Sequence, residues 1–311
     1  MRSETSALGV NVIFMGTPDY AEKILERLIE SKEINVVGVF TQPDKPVGRK
    51  KVMTPPPVKV LAQKHNIYIF QPNRLRDEES VQDVLAIECD YIVVAAYGQI
   101  LPRAILDHAP CINLHASILP QYRGASPIQQ TLLNGDTLTG VTAMLMEEGL
   151  DTGDILQIKT LDVDKDMMVE SLFDALTTVA TDLTVEVLLN FDSYTPEKQD
   201  ESKASHCKKI TKQDGEVAFD DAVTLYNKYR AFTPWPGIYL ESGLKLKKIE
   251  LENSDTSAKS GEVISIDSDS IVVACTKGSI RIFSVQPASK KEMDVLSYIN
   301  GKRLTLEDCL S

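Results

Sequence analysis

Over its first hundred-odd residues the chain alternates apolar runs with amphipathic stretches. Val10 to Met15 is a nearly unbroken apolar run that suits a strand buried on both faces. Thr17 is placed to cap the helix that follows, with Pro18 at its first position, and Ile24, Leu25, Leu28 and Ile29 form its buried stripe. INVVGVFT (34–41), IYIFQ (67–71), DYIVVAAYG (90–98) and CINLHAS (111–117) read as further strands. Helical stretches fall between them, from Val58 to Lys64 and in ESVQDVLAIE (79–88). Strands alternating with helices of this length predict an α/β fold with a doubly wound, mainly parallel sheet covered on both faces.

The pattern then changes. A short helix over 126–135 precedes strand-like pieces at 139–147 and 154–163, and a long amphipathic helix follows over about 168–191. Residues 192–206 are polar and poor in large apolar side chains, which marks a linker. Beyond them GIYLE, LKLKKIELE, GEVISID, SIVVACTKG and SIRIFSVQP read as five short strands, enough for a small β-barrel with the OB type as one candidate. A chain of 311 residues exceeds the usual single domain. The expected division is a leader (1–9), a catalytic domain (10–191), a linker (192–206) and a C-terminal barrel (207–311).

Composition narrows the classes. Hydrophobic residues at 43% and charged ones at 25% describe an ordinary globular protein. No apolar run approaches the ~20 residues of a spanning helix, and the first nine residues lack a secretory signal, so no membrane partner and a cytoplasmic location are expected. Five cysteines without a CxxC pair signal neither disulfides nor zinc, and no metal is expected. Nothing in the sequence demands more than a monomer. A net charge of -12 argues against a nucleic-acid partner until its distribution is read. Residues 203–311 hold 16 Lys+Arg against 15 Asp+Glu, so the acid excess lies entirely in the first 202 residues. Even there Arg49, Lys50 and Lys51 form a basic run, with Lys45, Lys59 and Lys64 nearby. Charge therefore permits an RNA partner without demanding one.

The turn Gly16-Thr17-Pro18-Asp19 has one of the three glycines a dinucleotide fingerprint requires, which disfavours a nicotinamide dehydrogenase. The strongest candidate site is Asn113-Leu114-His115 at the end of the fifth strand. Residues two apart on a strand share a face, so an amide donor and an imidazole stand side by side where open parallel sheets bind ligands. That pair suits acyl transfer, the amide donating to a developing oxyanion and the imidazole moving a proton. The following run from Ser117 to Gly124 offers apolar side chains and backbone groups that could line a slot for a flat ligand. Leu150-Asp151-Thr152-Gly153-Asp154 is a tight acidic turn whose Asp151 could orient a histidine or relay a proton; taken alone, a side chain closing its own turn is the favoured reading. A retroviral-type aspartic protease also uses Asp-Thr-Gly, but in an all-β fold.

The chain resembles the methionyl-tRNA formyltransferase family over nearly its whole length. The segments that carry the resemblance are FMGTPDYA (14–21), VFTQPDKPVGRKK (39–51), AAYGQILP (95–102), INLHASILPQYRGASPIQ (112–129), GLDTGDI (149–155), PWPGIYL (234–240) and VQPASKKEM (285–293). It implies a formyltransferase-like Rossmann variant and formyl transfer from 10-formyltetrahydrofolate to the α-amine of methionyl initiator tRNA. By the same resemblance Asn113, His115 and Asp151 are the catalytic trio, Ser117, Ile118, Leu119 and Pro120 contact the reduced folate, and Arg49 with Lys50 and Lys51 approaches the tRNA. Ile118 stands where leucine is commoner and Lys45 where arginine is, both mild changes. Other folate-dependent enzymes share the central motifs, so a formyltransferase acting on a sugar or purine-precursor amine is the alternative. A catalytically silent RNA-binding protein is a rival from another class, against which the intact trio weighs.

Overall fold

The computed structural model describes residues 9–48, 50–252 and 257–310. The first part of the chain runs β1 (Val10–Gly16), α1 (Asp19–Glu30), β2 (Ile34–Phe40), β3 (Lys45–Val47), β4 (Val52–Thr54), α2 (Pro57–Lys64), β5 (Ile69–Phe70), α3 (Glu78–Leu85), β6 (Tyr91–Ala95), α4 (Arg103–Leu106), β7 (Cys111–His115) and β8 (Arg123–Gly124). Then come α5 (Pro127–Asn134), β9 (Leu138–Leu145), β10 (Ile155–Asp162), α6 (Val169–Leu189) and β11 (His206–Cys207). The remainder is α7 (Ala222–Phe232), β12 (Ile238–Tyr239), β13 (Lys245–Glu252), β14 (Val263–Ile266), β15 (Ile271–Ala274), β16 (Ser279–Gln286), β17 (Met293–Asp294) and α8 (Val295–Lys302). No helix among the described residues is long and apolar enough to cross a membrane.

Seven strands form the main sheet in the order β10-β9-β7-β6-β1-β2-β5. β5, β2, β1, β6 and β7 are parallel, and β9 and β10 extend the sheet antiparallel. Chain order reverses between β1 and β6, the switch point at which open sheets of this kind gather ligands beyond the carboxyl ends of their strands. Val12 to Met15 and Tyr91 to Ala95 are buried, as the continuous apolar runs require. Ile92 has no exposed surface, so Ile92→Ala is expected to destabilise by about 2–5 kcal/mol. The check is the urea transition; a loss under about 1 kcal/mol would show that the site collapses around the deletion.

α1 buries Tyr20, Ala21, Ile24, Leu25 and Leu28, close to the stripe read from its spacing. Its N-terminus differs from the expectation. Pro18 is the capping residue, with no side-chain hydrogen bond, because the Thr17 hydroxyl is used elsewhere: it donates to the Tyr97 carbonyl at 3.2 Å and accepts the Gln42 amide at 3.4 Å. Gln42 Nε2 reaches the same carbonyl at 3.1 Å. The turns after β1, β2 and β6 are thus tied together at the edge where the site lies.

The described residues divide into two compact units. One takes in residues up to Gly124 with Leu138–Asp162 and Phe173–Cys207; the other comprises Ala125–Thr137, Val163–Leu172 and the chain from Lys208 on. The polar stretch 192–206, read from sequence as a linker, therefore belongs to the first unit. Its polar side chains and backbone are paired: Glu197 exchanges two backbone hydrogen bonds with Ile155, and β11 pairs with β8. Conversely, α5 lies early in the chain but packs with α7 in the second unit. That unit also holds an antiparallel sheet in the order β12-β13-β16-β15-β14, with β17 beside β16, consistent with a small barrel. Helices α7 and α8 were not foreseen in a region where strand periodicity dominates.

Candidate active site

The sheet register sets the site. Asn113 lies level with Val94 on one side and Met144 on the other, and His115 lies opposite Thr142. Both side chains share the face expected of residues two apart. Asn113 and His115 are buried, 8% and 6% exposed. The turn between β9 and β10 brings Asp151 to them. Asn113 Nδ2 is 3.4 Å from Asp151 Oδ1, and His115 Nδ1 is 3.6 Å from Asp151 Oδ2. The three residues proposed from sequence as one constellation, 38 positions apart at their extremes, are therefore neighbours. The two separations are longer than strong hydrogen bonds, as is common before a substrate tightens the geometry.

Two backbone groups of the run 117–124, which the sequence reading gave to a ligand slot, contact the trio instead. The Gly124 amide donates to Asp151 Oδ2 at 2.8 Å. His115 Nε2 lies 2.9 Å from the Tyr122 carbonyl oxygen. A carbonyl only accepts, so Nε2 carries a hydrogen and Nδ1 is the ring nitrogen that faces the carboxylate. Gly124 has φ +118°, and a Cβ there would lie 2.3 Å from the Cys207 carbonyl oxygen, so β8 meets β11 only with glycine at this position. Gly153 is required for the same kind of reason: its Cβ would stand 1.7 Å from the Leu145 carbonyl oxygen, closing the Asp151 turn against β9.

The segment from Ser117 to Pro120 is shaped from inside. Ser117 Oγ donates to the Gln121 carbonyl at 2.6 Å. Thr142 Oγ1 donates to the Ser117 carbonyl at 2.7 Å and accepts the Leu119 amide at 3.1 Å. The Leu119–Pro120 peptide is cis. Ser117 and Leu119 are buried, so the surface this segment offers a ligand is that of Ile118 and Pro120, both half-buried. Arg123 is 2% exposed and donates to Gln199 Oε1 from Nε at 3.1 Å and from Nη2 at 2.8 Å, and to Glu201 from Nη1 at 3.0 Å and from Nη2 at 2.6 Å. The hydrogen bond from Arg123 holds the Glu201 carboxyl below the usual carboxylate range. The arginine beside glycine in the run 117–124 was the signal for this network; nothing marked its partners in the polar stretch.

The segment around Lys50 and Lys51 is a short hairpin. β3 and β4 form a hairpin pairing Lys45 with Thr54, Pro46 with Met53 and Val47 with Val52. All six residues are exposed, so no apolar period announced it. Lys50 and Lys51 lie exposed at its turn, and Arg49 lies outside the described residues. At its base, hydrogen bonds from Gln71 and Lys59 hold the Asp44 carboxyl below its ordinary range. Asp44, the one acid beside the basic run, is thus already paired. Trp235 is 61% exposed.

An amide, an imidazole and a carboxylate converging beyond the carboxyl edge of a parallel sheet define an α/β enzyme equipped for acyl-group transfer. Residues 10–188 match the family model described as formyl transferase, and residues 209–303 match that of the formyl transferase C-terminal domain. The chain belongs to the methionyl-tRNA formyltransferase family. It is 68% identical to the methionyl-tRNA formyltransferase of Sulfurimonas denitrificans, over 97% of this chain and all of that protein. It is 56% identical to the protein of the same name from Nitratiruptor sp., over 96% of this chain and 99% of the relative. Among solved structures, the N-formyltransferase from Helicobacter canadensis in complex with folinic acid and dTDP-3-aminofucose shares the fold. Its TM-score is 0.67 at 16% identity, covering 88% of this chain and 99% of that one.

Proposed function

We infer that this chain transfers the formyl group of 10-formyltetrahydrofolate to the α-amine of methionyl initiator tRNA, acting in the cytoplasm as a monomer. Full-length identity of 68% to a methionyl-tRNA formyltransferase is the observation that carries this reading. The reduced folate, when bound, supplies a formyl carbon on N10 as electrophile and leaves as the N10 amine. The residues suit such a ligand: Ile118 and Pro120 present apolar surface beside the polar trio, while Ser117 and Leu119 hold the segment's shape.

In this mechanism Asn113 Nδ2 and a protonated His115 Nδ1 donate to the formyl oxygen as negative charge builds on it. Because the Tyr122 carbonyl occupies Nε2, the imidazole acts through Nδ1 alone. Asp151 stabilises that cation and accepts the proton released by the attacking amine, directly or through water, for return to N10. The hydrogen bond from the Gly124 amide aims the Asp151 carboxylate.

Transfer of labelled formyl from 10-formyltetrahydrofolate to charged initiator and elongator tRNAs tests the assignment. Labelling of methionyl initiator tRNA is the expected result; transfer only to amino sugars or a purine-precursor amine would overturn it. Lys50 and Lys51, with Arg49, are assigned to phosphate contacts. Replacing Lys50 and Lys51 by alanine is expected to weaken tRNA binding and to reduce the slope of log K against log salt by about 1 per lost contact. An unchanged slope in filter binding would remove the hairpin from the RNA interface.

A further inference from the structure

Asp151 sits in the left-handed region at φ +55°, a conformation that non-glycine residues hold only when their surroundings over-determine it. The determining contact comes from a residue 48 positions away in the polar stretch. Gln199 Nε2 donates to the carbonyl oxygens of Asp151 and Gly153, each at 2.8 Å, and so bridges the turn on both sides of Thr152. Its Oε1 accepts both hydrogen bonds from Arg123. The amide orientation is unambiguous, since carbonyls only accept and a guanidinium only donates. Arg123 in turn is anchored by Glu201, and its backbone amide donates to the Ser205 carbonyl at 2.9 Å. The Tyr122 amide, next to the carbonyl that holds His115, donates to Ser205 Oγ at 3.0 Å. One strap, residues 197–207, therefore grips the acidic turn with one side chain and the histidine-holding segment with another.

We propose that Gln199 is a positioning residue for the transfer reaction, acting through the Asp151 turn, with Arg123 fixing the orientation of its amide. The proposal rests on the catalytic role inferred for Asp151. If the amide sets where the carboxylate lies between Asn113, His115 and the Gly124 amide, its loss displaces the carboxylate without emptying either substrate site.

Two substitutions separate positioning from simple tethering. Gln199→Ala removes all four hydrogen bonds. Gln199→Glu keeps and strengthens those from Arg123 but turns acceptor-only oxygens toward two carbonyls. Measured by single turnover on the full chain with 10-formyltetrahydrofolate and methionyl-tRNA, both variants are expected to lose about 10- to 100-fold in kcat. Both KM values should stay within about twofold of the parent. A Gln199→Glu enzyme with parental kcat would overturn the proposal, because a residue that merely tethers Arg123 is satisfied by a carboxylate. The thermal midpoint of each variant shows whether the fold survives, and Gln199→Glu is expected to melt close to the parent. In an Asp151→Asn background, Gln199→Glu is expected to cost less than about twofold more, since two residues acting through one carboxylate are not additive. A multiplied loss there would show that Gln199 acts elsewhere and sink the idea. Near-parental turnover by Asp151→Asn alone would instead overturn the role of Asp151, and the proposal with it.

Discussion

Asn113→Ala is expected to lose about 100- to 1,000-fold in kcat, with the KM values for folate and methionyl-tRNA nearly unchanged. The expectation follows from where the amide stands. Asn113 is held on the rigid β7 between β6 and β9, so its Nδ2 needs no reorganisation when charge develops on the formyl oxygen. Removing one such donor from a preorganised site typically costs about 2.7–4 kcal/mol of transition-state stabilisation. In the resting site Nδ2 has only a 3.4 Å contact with Asp151 Oδ1, weak enough to exchange for a substrate oxygen. Ground-state binding draws on other surfaces, which is why KM should hold. Single-turnover rates at saturating substrates make the measurement. A variant within about threefold of the parent kcat would remove Asn113 from the oxyanion site, far outside the range such donors span.

Asp151→Asn is expected to lose about 100- to 10,000-fold, the range for a group that moves a proton in the transition state. The replacement is isosteric, so the fold should persist, and the reason for the loss is directional. An asparagine oxygen that keeps the Gly124 hydrogen bond must take the place of Oδ2. Its NH2 then faces the NH2 of Asn113, donor against donor, and Asn113 has to turn over or withdraw. The variant thus loses the proton acceptor, the negative partner of His115 Nδ1, and the aim of the oxyanion donor together. Because these act as one unit, Asn113→Ala added to Asp151→Asn should cost much less than the product of the two losses. Full multiplication of the two effects would show that the residues act independently.

Much of this was legible in one dimension. The buried runs Val12–Met15 and Tyr91–Ala95 suit interior strands, and their alternation with helices points to a wound parallel sheet. The motif spacing named Asn113 and His115, since a two-residue step on a strand settles that they share a face. The sequence also offered Asp151, but its motif alone favoured a residue closing its own turn. Only the antiparallel addition of β9 and β10, which carries that turn back over the end of β7, brings the Asp151 carboxylate beside Asn113 and His115.

Two polar features that leave no apolar period share one physical cause. The polar stretch 192–206 lacks an apolar face, the primary signal of packed structure, yet it is fastened by Gln199, Glu201 and Ser205 to groups nearly 50 to 80 positions earlier. The β3–β4 hairpin is likewise exposed on both sides and invisible to periodicity. Hydrophobic pattern reports burial, which is local to each residue and set by side-chain type. Hydrogen-bond partnership depends on which distant backbone groups the fold brings within 3 Å. The chain's own pattern determined the layers, the sheet and the face that Asn113 and His115 share. The tertiary structure alone brought the Gln199 amide from the polar stretch onto the turn that carries Asp151, because directional polar contacts leave no period in the sequence.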